Sequence, residues 1–243
     1  NDVSGNGYHG VAYAPLITGK IGLGYSMSGN PAGGTATQAI VVDNFPNMNP
    51  NGVTVSMWIN PSVVTSTERQ CIFNNGNSIF IDIEPNGRLS GFIYDGNWRQ
   101  TISSTSLIPG VWQYVTLVYD RTNVRVFING IQSGTPAIAS GNLGSGTPLV
   151  LADAQWGYEA YQGSMDEVKI WNYALSNSEI LTELGLTFNI NSCGVISSPG
   201  YYNLSGNINS NPSGGVCINI SSSNVIFDCL QKSINISQIY PII

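Results

Sequence analysis

The sequence predicts an all-β chain built around an antiparallel β-sandwich. Two observations carry that expectation. Apolar residues recur at alternate positions in many short runs, as in half-buried strands. The runs are separated by turn signals such as Asn86-Gly87 and Asn129-Gly130, which favour hairpins.

The elements follow in order. Val53 to Asn60 alternates and stops at Pro61, since proline cannot donate to a ladder. Cys71 falls in a further strand run. Ser78 to Ile83 and Leu89 to Tyr94 flank the turn Glu84-Pro85-Asn86-Gly87. Trp112 to Tyr119 and Val124 to Ile128 form a second pair, joined by Asp120-Arg121-Thr122-Asn123, and Asn129-Gly130 leads into Ile131-Gln132-Ser133. Pro148 to Ala152 and Met165 to Trp171 complete the set. Strict alternation puts Met165, Glu167, Lys169 and Trp171 on one face of that last strand, and Asp166, Val168 and Ile170 on the other. The pattern breaks at Asn172. A helical signal follows at Ser176 to Leu181, with Ser176 as N-cap and Glu179 completing a capping box.

Composition narrows the class. Only 9% of the 243 residues are charged, against about 25% in an average soluble domain. The net charge of −6 and pI near 4.5 argue against a nucleic-acid partner, because nothing here neutralises a row of phosphates. No apolar run reaches the ~18 residues of a membrane span, and no signal peptide is visible. Asn1-Asp2-Val3-Ser4 is unlike a translation start, so the chain reads as processed or as a fragment. Four cysteines, three of them in the last quarter, indicate an oxidising compartment. Three sequons, at Asn203, Asn219 and Asn235, point the same way, to an extracellular or cell-surface location with N-glycosylation.

The run Gly163-Ser164-Met165-Asp166-Glu167-Val168-Lys169-Ile170-Trp171-Asn172-Tyr173-Ala174-Leu175-Ser176 resembles the closing strand of laminin-G-like, concanavalin-like jelly rolls. Gly19 to Gly29, Thr54 to Pro61, Gly110 to Asp120 and Phe127 to Gly130 are similar to further strands of that family. The resemblance implies a jelly-roll domain over residues 1–187 and a fold used mainly for binding. One strand that precedes the Asp2-Val3-Ser4-Gly5-Asn6-Gly7 turn in similar domains is missing. Its absence is expected to leave unpaired backbone and an apolar slot that invites another chain. Residues 188–243 read differently. Cys193 to Leu204, Val216 to Ile220 and Asn224 to Cys229 resemble the opening coils of right-handed parallel β-helices, and Ile234 to Ile243 forms an extended apolar tail.

Candidate chemistry follows from these parts. The resemblance implies a structural Ca²⁺ held by Asp2, Asn6 and Asp166 with oxygens near Gly7 and His9, hard donors at a glycine-rich turn. The alternative is an Asp166 that accepts backbone N–H bonds without metal. Trp98, Trp156, Tyr158 and Tyr161, read as loop-tip aromatics, suit stacking on sugar rings, with Asp95, Asn97 and Asp153 bonding hydroxyls; the alternative is rim packing. Enzymatic activity is not expected. The Glu-x-Asp-x-x-Glu signature of concanavalin-like glucanases is absent, Asp82-Ile83-Glu84 is its nearest fragment, and His9 has no nucleophile motif beside it. Among the cysteines, Cys193–Cys217 and Cys217–Cys229 are rival disulfides. Cys71 is expected to be buried and free.

Two functions fit. The first, favoured, is a non-catalytic structural subunit of a cell-surface or filamentous assembly that self-associates by strand complementation. The second is a carbohydrate-binding or adhesive lectin-like module of a larger secreted protein.

Overall fold

The computed structural model describes residues 2–29, 38–48, 51–146, 148–154, 159–210, 212 and 216–236. The chain forms two compact units, Asn1–Leu175 and Ser176–Ile243.

The strands of the first unit, in chain order, are β1 (Val11–Ala12), β2 (Leu16–Thr18), β3 (Leu23–Ser28), β4 (Ile40–Val42), β5 (Val53–Pro61), β6 (Gln70–Asn75) and β7 (Ile79–Ile83). After them come β8 (Arg88–Tyr94), β9 (Trp98–Ser106), β10 (Gln113–Tyr119), β11 (Asn123–Ile128), β12 (Ile131–Ile138), β13 (Leu149–Leu151) and β14 (Gln162–Trp171). They pair in two seven-stranded sheets. The first runs β1-β4-β13-β6-β7-β8-β9 and the second β12-β11-β10-β5-β14-β3-β2. Every pairing in the two sheets is antiparallel.

Period-two alternation builds the core. Val53, Val55, Met57 and Ile59 of β5 meet Ile79, Ile81, Ile83, Leu89 and Ile93 of the first sheet in one apolar cluster. Gly91 occupies a core-facing position where a Cβ would lie 2.6 Å from Leu117 Cδ1 and 2.8 Å from Val126 Cγ1. The sheets approach too closely there for any side chain. The Asn129-Gly130 turn has φ of 51° and 79°, the doubly positive backbone that a tight hairpin requires.

β14 departs from strict alternation. Its register against β5 shifts between Asp166 and Lys169, and Glu167 has φ 49°. This is a bulge, and one extra residue re-phases the strand. Met165, Val168 and Ile170 all pack on the core as a result, whereas strict alternation had set Met165 opposite the other two.

The two open sides of the sandwich differ. On one, β9 and β12 are tied by Thr101 Oγ1 donating to Thr135 O at 2.9 Å and by a Ser104–Ser133 hydroxyl contact of 3.1 Å. On the other, the chain crosses from β1 to β2 at residues 13–15. Leu16 lies opposite Tyr25 and Thr18 opposite Leu23. Tyr25 packs on the core, but Leu16 is 59% and Leu23 68% exposed. Among the described residues nothing buries these two side chains.

The second unit opens with α1 (Asn177–Glu183), whose capping box is formed: the Ser176 hydroxyl accepts from Glu179 N and the Glu179 carboxylate accepts from Ser176 N. Its strands are β15 (Thr187–Ile190), β16 (Gly194–Ile196), β17 (Gly200–Leu204), β18 (Ile208–Ser210), β19 (Ile218–Ile220), β20 (Val225–Asp228) and β21 (Ile234–Ile236). They pair in parallel as β15-β17-β20, β16-β19 and β18-β21. Leu204, Ile208 and Cys217 form a small core, and the Phe188 and Tyr202 rings stack at 4.9 Å.

Candidate functional site

Because Ile79, Ile81 and Ile83 point into the core, Phe80 and Asp82 point out of the first sheet. Register then fixes their neighbours. Phe80 is flanked by Asn74 and Phe92, and Phe92 by Gln100; Asp82 lies between Cys71 and Ser90; Tyr94 lies opposite Trp98. Trp98 is 47% exposed, and its ring lies 5.4 Å from that of Phe80 and 5.2 Å from that of Tyr94. Phe80, Cys71 and Ala154 form a small apolar cluster with Phe92 packed on it. This outer face therefore carries an exposed indole on a buried aromatic footing.

Trp98 opens β9 rather than tipping a loop. Apart from Trp98 and Ile102 the run Trp98 to Ser106 is polar, as suits an edge strand, and so it lacks the alternation that marks the other strands.

The described ends of the connection between β13 and β14 border the same face. Ala152 and Glu159, which bracket it, have φ of 71° and 69°, sparsely populated for residues with a Cβ. Hydrogen bonds hold both ends: Ala152 N donates to Ile72 O at 2.9 Å, Cys71 N to Glu159 O at 2.7 Å and Asn74 Nδ2 to Ala154 O at 3.0 Å. The Arg69 guanidinium stands over the Phe92 ring at 5.2 Å. It reaches Glu159 Oε1 from Nη2 at 3.0 Å and from Nε at 3.1 Å, and Asp82 Oδ2 from Nη1 at 3.6 Å. Asp82 is 2% exposed. Burial pushes its carboxyl up to about 7 against the pull of Arg69, and burial likewise pushes the Cys71 thiol well up. Above them Gln100 Nε2 donates to Glu84 Oε1 at 2.9 Å.

The other residues singled out from sequence are placed as follows. Tyr161 is fully buried, not exposed at a loop tip; its hydroxyl donates to Ser164 O at 3.1 Å. The bulky ring fills the sandwich core. Asp153 is buried beside the outer face. Asp95 is turned inward as a clamp, accepting from Arg99 Nε at 3.0 Å and Ser140 N at 3.1 Å. Asn97 is exposed in the turn before β9. Trp156 and Tyr158 lie outside the described residues.

The residues expected to hold calcium belong to two separate hydrogen-bond networks. Asp2 accepts from Ser4 N at 2.8 Å and Tyr8 N at 3.0 Å, and its own N–H donates to His9 Nδ1 at 3.0 Å. Asn6 Nδ2 bonds Ser4 Oγ at 2.9 Å. Asp166 accepts from Ile21 N at 2.8 Å and Glu167 N at 2.8 Å. Each carboxylate oxygen already holds a backbone N–H. No three His, Cys, Asp or Glu side chains converge among the described residues. Asp2 and Asp166 thus serve the fold as acceptors of backbone N–H groups.

In the second unit Cys193 and Cys217 are joined by a disulfide, while Cys71 is buried and free and Cys229 exposed and free. Asn203 is half-buried in β17, aligned with Asn189 and Asp228 of the flanking strands, whereas Asn219 and Asn235 are exposed. No helix among the described residues is long and apolar enough to cross a membrane.

Three solved structures share the sandwich. The binding domain of Paraclostridial mosquitocidal protein 1 superposes with a TM-score of 0.61 at 17% identity, over 75% of this chain and 48% of that one. Domain 4 of AbnA, an extracellular arabinanase of Geobacillus stearothermophilus solved with arabinotriose, gives 0.54 at 22% identity, over 72% and 87%. The binding domain of botulinum neurotoxin serotype D, solved with N-acetylneuraminic acid, gives 0.57 at 17% identity, over 74% and 46%. The chain spans about half the length of the two toxin domains. No curated protein matches. The Laminin_G_3 family covers residues 33–181, more than half of the sequence, and the chain belongs to this family of the concanavalin A-like lectin/glucanases superfamily.

Proposed function

We propose that this chain is a non-catalytic, extracellular or cell-surface carbohydrate-binding module, and that its glycan lies on the outer face of the first sheet. The carrying observation is Trp98: a half-exposed indole, fixed on a strand and backed by Phe80 and Tyr94. A flat apolar ring on a rigid footing suits a sugar face and costs little ordering entropy. Arg69, Gln100 and Glu84 supply donors and acceptors beside it. The arabinotriose and N-acetylneuraminic acid complexes of the similar domains support this reading. Glycoside hydrolysis needs two carboxyls flanking the scissile bond. Here Asp82 is sunk beneath the surface and shares Arg69 with Glu159, which favours binding over cleavage. A glycan array followed by calorimetry tests the proposal. Trp98→Ala weakens binding about tenfold or more while the variant stays folded by circular dichroism; retained affinity in that variant sinks the site.

A second reading rests on the exposed rim at Leu16 and Leu23. β2 is an edge strand, and an apolar margin beside an unpaired edge suits an extended strand from a second copy. Such a subunit self-associates with concentration, and Leu16→Lys abolishes the association. Sedimentation velocity across a wide concentration range decides it, because a single unchanging monomer peak excludes this reading.

A further inference from the structure

Resting on the glycan-binding reading, we infer that the ligand of this face is a neutral glycan, and that Glu159 and Asp82 exclude acidic sugars by occupying Arg69. Arginine recognises a sugar carboxylate by offering two parallel N–H groups to it. The side-on Nε and Nη2 pair of Arg69 is already taken by Glu159, and Asp82 stands against its Nη1. Its Nε and Nη2 both point at Glu159 Oε1, at 3.1 and 3.0 Å, and its Nη1 faces Asp82 Oδ2 at 3.6 Å.

The other cations of the first sheet are also committed. Arg99 is held by Asp95 at 3.0 Å, and Arg88 donates from Nε to the Ser103 carbonyl. Acidic groups outnumber them around the platform. Glu84 and Glu159 act on Asp82, and Asp153 acts on Cys71 beside it. A carboxylate brought onto Trp98 meets like charge without a free partner, which costs affinity. A hydroxyl group meets no such barrier. It donates to a carboxylate oxygen and accepts from an N–H, so a neutral sugar satisfies both kinds of group. The serotype D toxin domain, solved with N-acetylneuraminic acid, shares the fold at 17% identity, too low for ligand chemistry to carry over from fold.

The test is an array of matched glycans, each neutral chain printed beside its sialylated and its uronic-acid form, probed with the full chain at pH 7.5. Wild type is expected to bind neutral members about tenfold or more tightly than their acidic partners. Glu159→Gln removes the carboxylate charge beside Arg69 without changing shape, and is expected to narrow that gap about tenfold. Asp82→Asn should act in the same direction, and either variant suffices if the other fails to fold by circular dichroism. Wild type binding acidic members as well as neutral ones overturns the inference and leaves the glycan-binding reading standing. A gap unmoved in a folded variant overturns the role given to these carboxylates. Binding to no glycan at all sinks the glycan-binding reading itself.

Discussion

Arg69 Nη2 lies 3.0 Å from Glu159 Oε1, joining residues 90 apart in sequence. The bond fastens the segment before β14 to the entrance of β6. Taking an ion pair out of water costs roughly what its attraction returns, so its contribution is position rather than stability. It joins Glu159, whose φ is 69°, to a guanidinium that stands 5.2 Å from the centre of the Phe92 ring. The same guanidinium sits beside Asp82, a carboxyl with a raised value, and this coupling has a measurable consequence.

Asp82 makes stability fall as pH rises. Its ordinary value is 3.8, and burial raises the folded value to about 7. Between those limits the folded chain keeps a proton that the unfolded chain releases, so the unfolded state is favoured as pH increases. The contribution is fully present below about pH 4, declines up to about pH 7 and is flat above. Asp2 works in the opposite sense: hydrogen bonds from Ser4 and Tyr8 hold it at about 2, so its contribution is lost only as pH falls from about 4 towards 2. Wild type should therefore melt on the order of 5 °C lower at pH 7.5 than at pH 5. Asp82→Asn, which cannot ionise, should show a smaller difference. Equal pH slopes in the two proteins refute the assignment.

The second prediction concerns metal. Asp2 and Asp166 spend their oxygens on backbone N–H groups in separate networks. Excess EDTA should leave the melting temperature unchanged within about 1 °C, whereas Asp166→Ala should destabilise by about 1–3 kcal/mol by orphaning the Ile21 N–H. Differential scanning fluorimetry with and without calcium checks both. A calcium-dependent rise of several degrees contradicts the hydrogen-bonded assignment.

Much of the sandwich was legible in the sequence, and the reason is local. β5, β7, β8, β10 and β11 are strands whose alternation and Asn-Gly or Asp-led turns are written in adjacent residues. What escaped depended on distant residues. The bulge at Glu167 is set by pairing with β5, and it places Val168 with Met165 on the core although the local pattern separates them. β9 is polar apart from Trp98 and Ile102 and takes its register from β8. Tyr161 read as a loop-tip aromatic, yet Gly163, with no side chain, leaves room for its ring: a Cβ there would lie 2.4 Å from the Tyr161 hydroxyl. Of the candidate site, Trp98 and Asp153 were legible as residue types. Arg69, Phe80 and Glu159 were not, because only strand register and a bond spanning 90 residues bring them together.

The third prediction concerns the second unit. The Cys193–Cys217 bridge closes a loop of sequence separation 24, for which chain-entropy arguments give about 3 kcal/mol. Among the described residues, the apolar cluster around the bridge is small, built on Leu204, Ile208 and Cys217. Reduction, or Cys193→Ser with Cys217→Ser, should raise thermolysin cleavage at the buried Ile196 and Leu204 about tenfold or more. The core strands of the first unit should stay protected. Mass spectrometry of the fragments reads both, and an unchanged pattern in the second unit shows that the bridge is dispensable.

The last prediction concerns Thr54, which locks the chain's exit from the sandwich. Its hydroxyl donates to Tyr173 O at 3.0 Å and accepts from Leu175 N at 2.8 Å. Thr54 is fully buried and Leu175 nearly so, so water cannot cheaply replace the bond from Leu175 N. Thr54→Val keeps the shape and deletes both, leaving a carbonyl and an amide unsatisfied at a cost of about 2–4 kcal/mol. That corresponds to a fall in melting temperature of roughly 5–12 °C. Thr54→Ser restores the hydroxyl and loses only a methyl group, so it should recover more than half of the difference. If valine and serine instead cost the same, the methyl contact and not the paired hydrogen bonds holds this segment against β5.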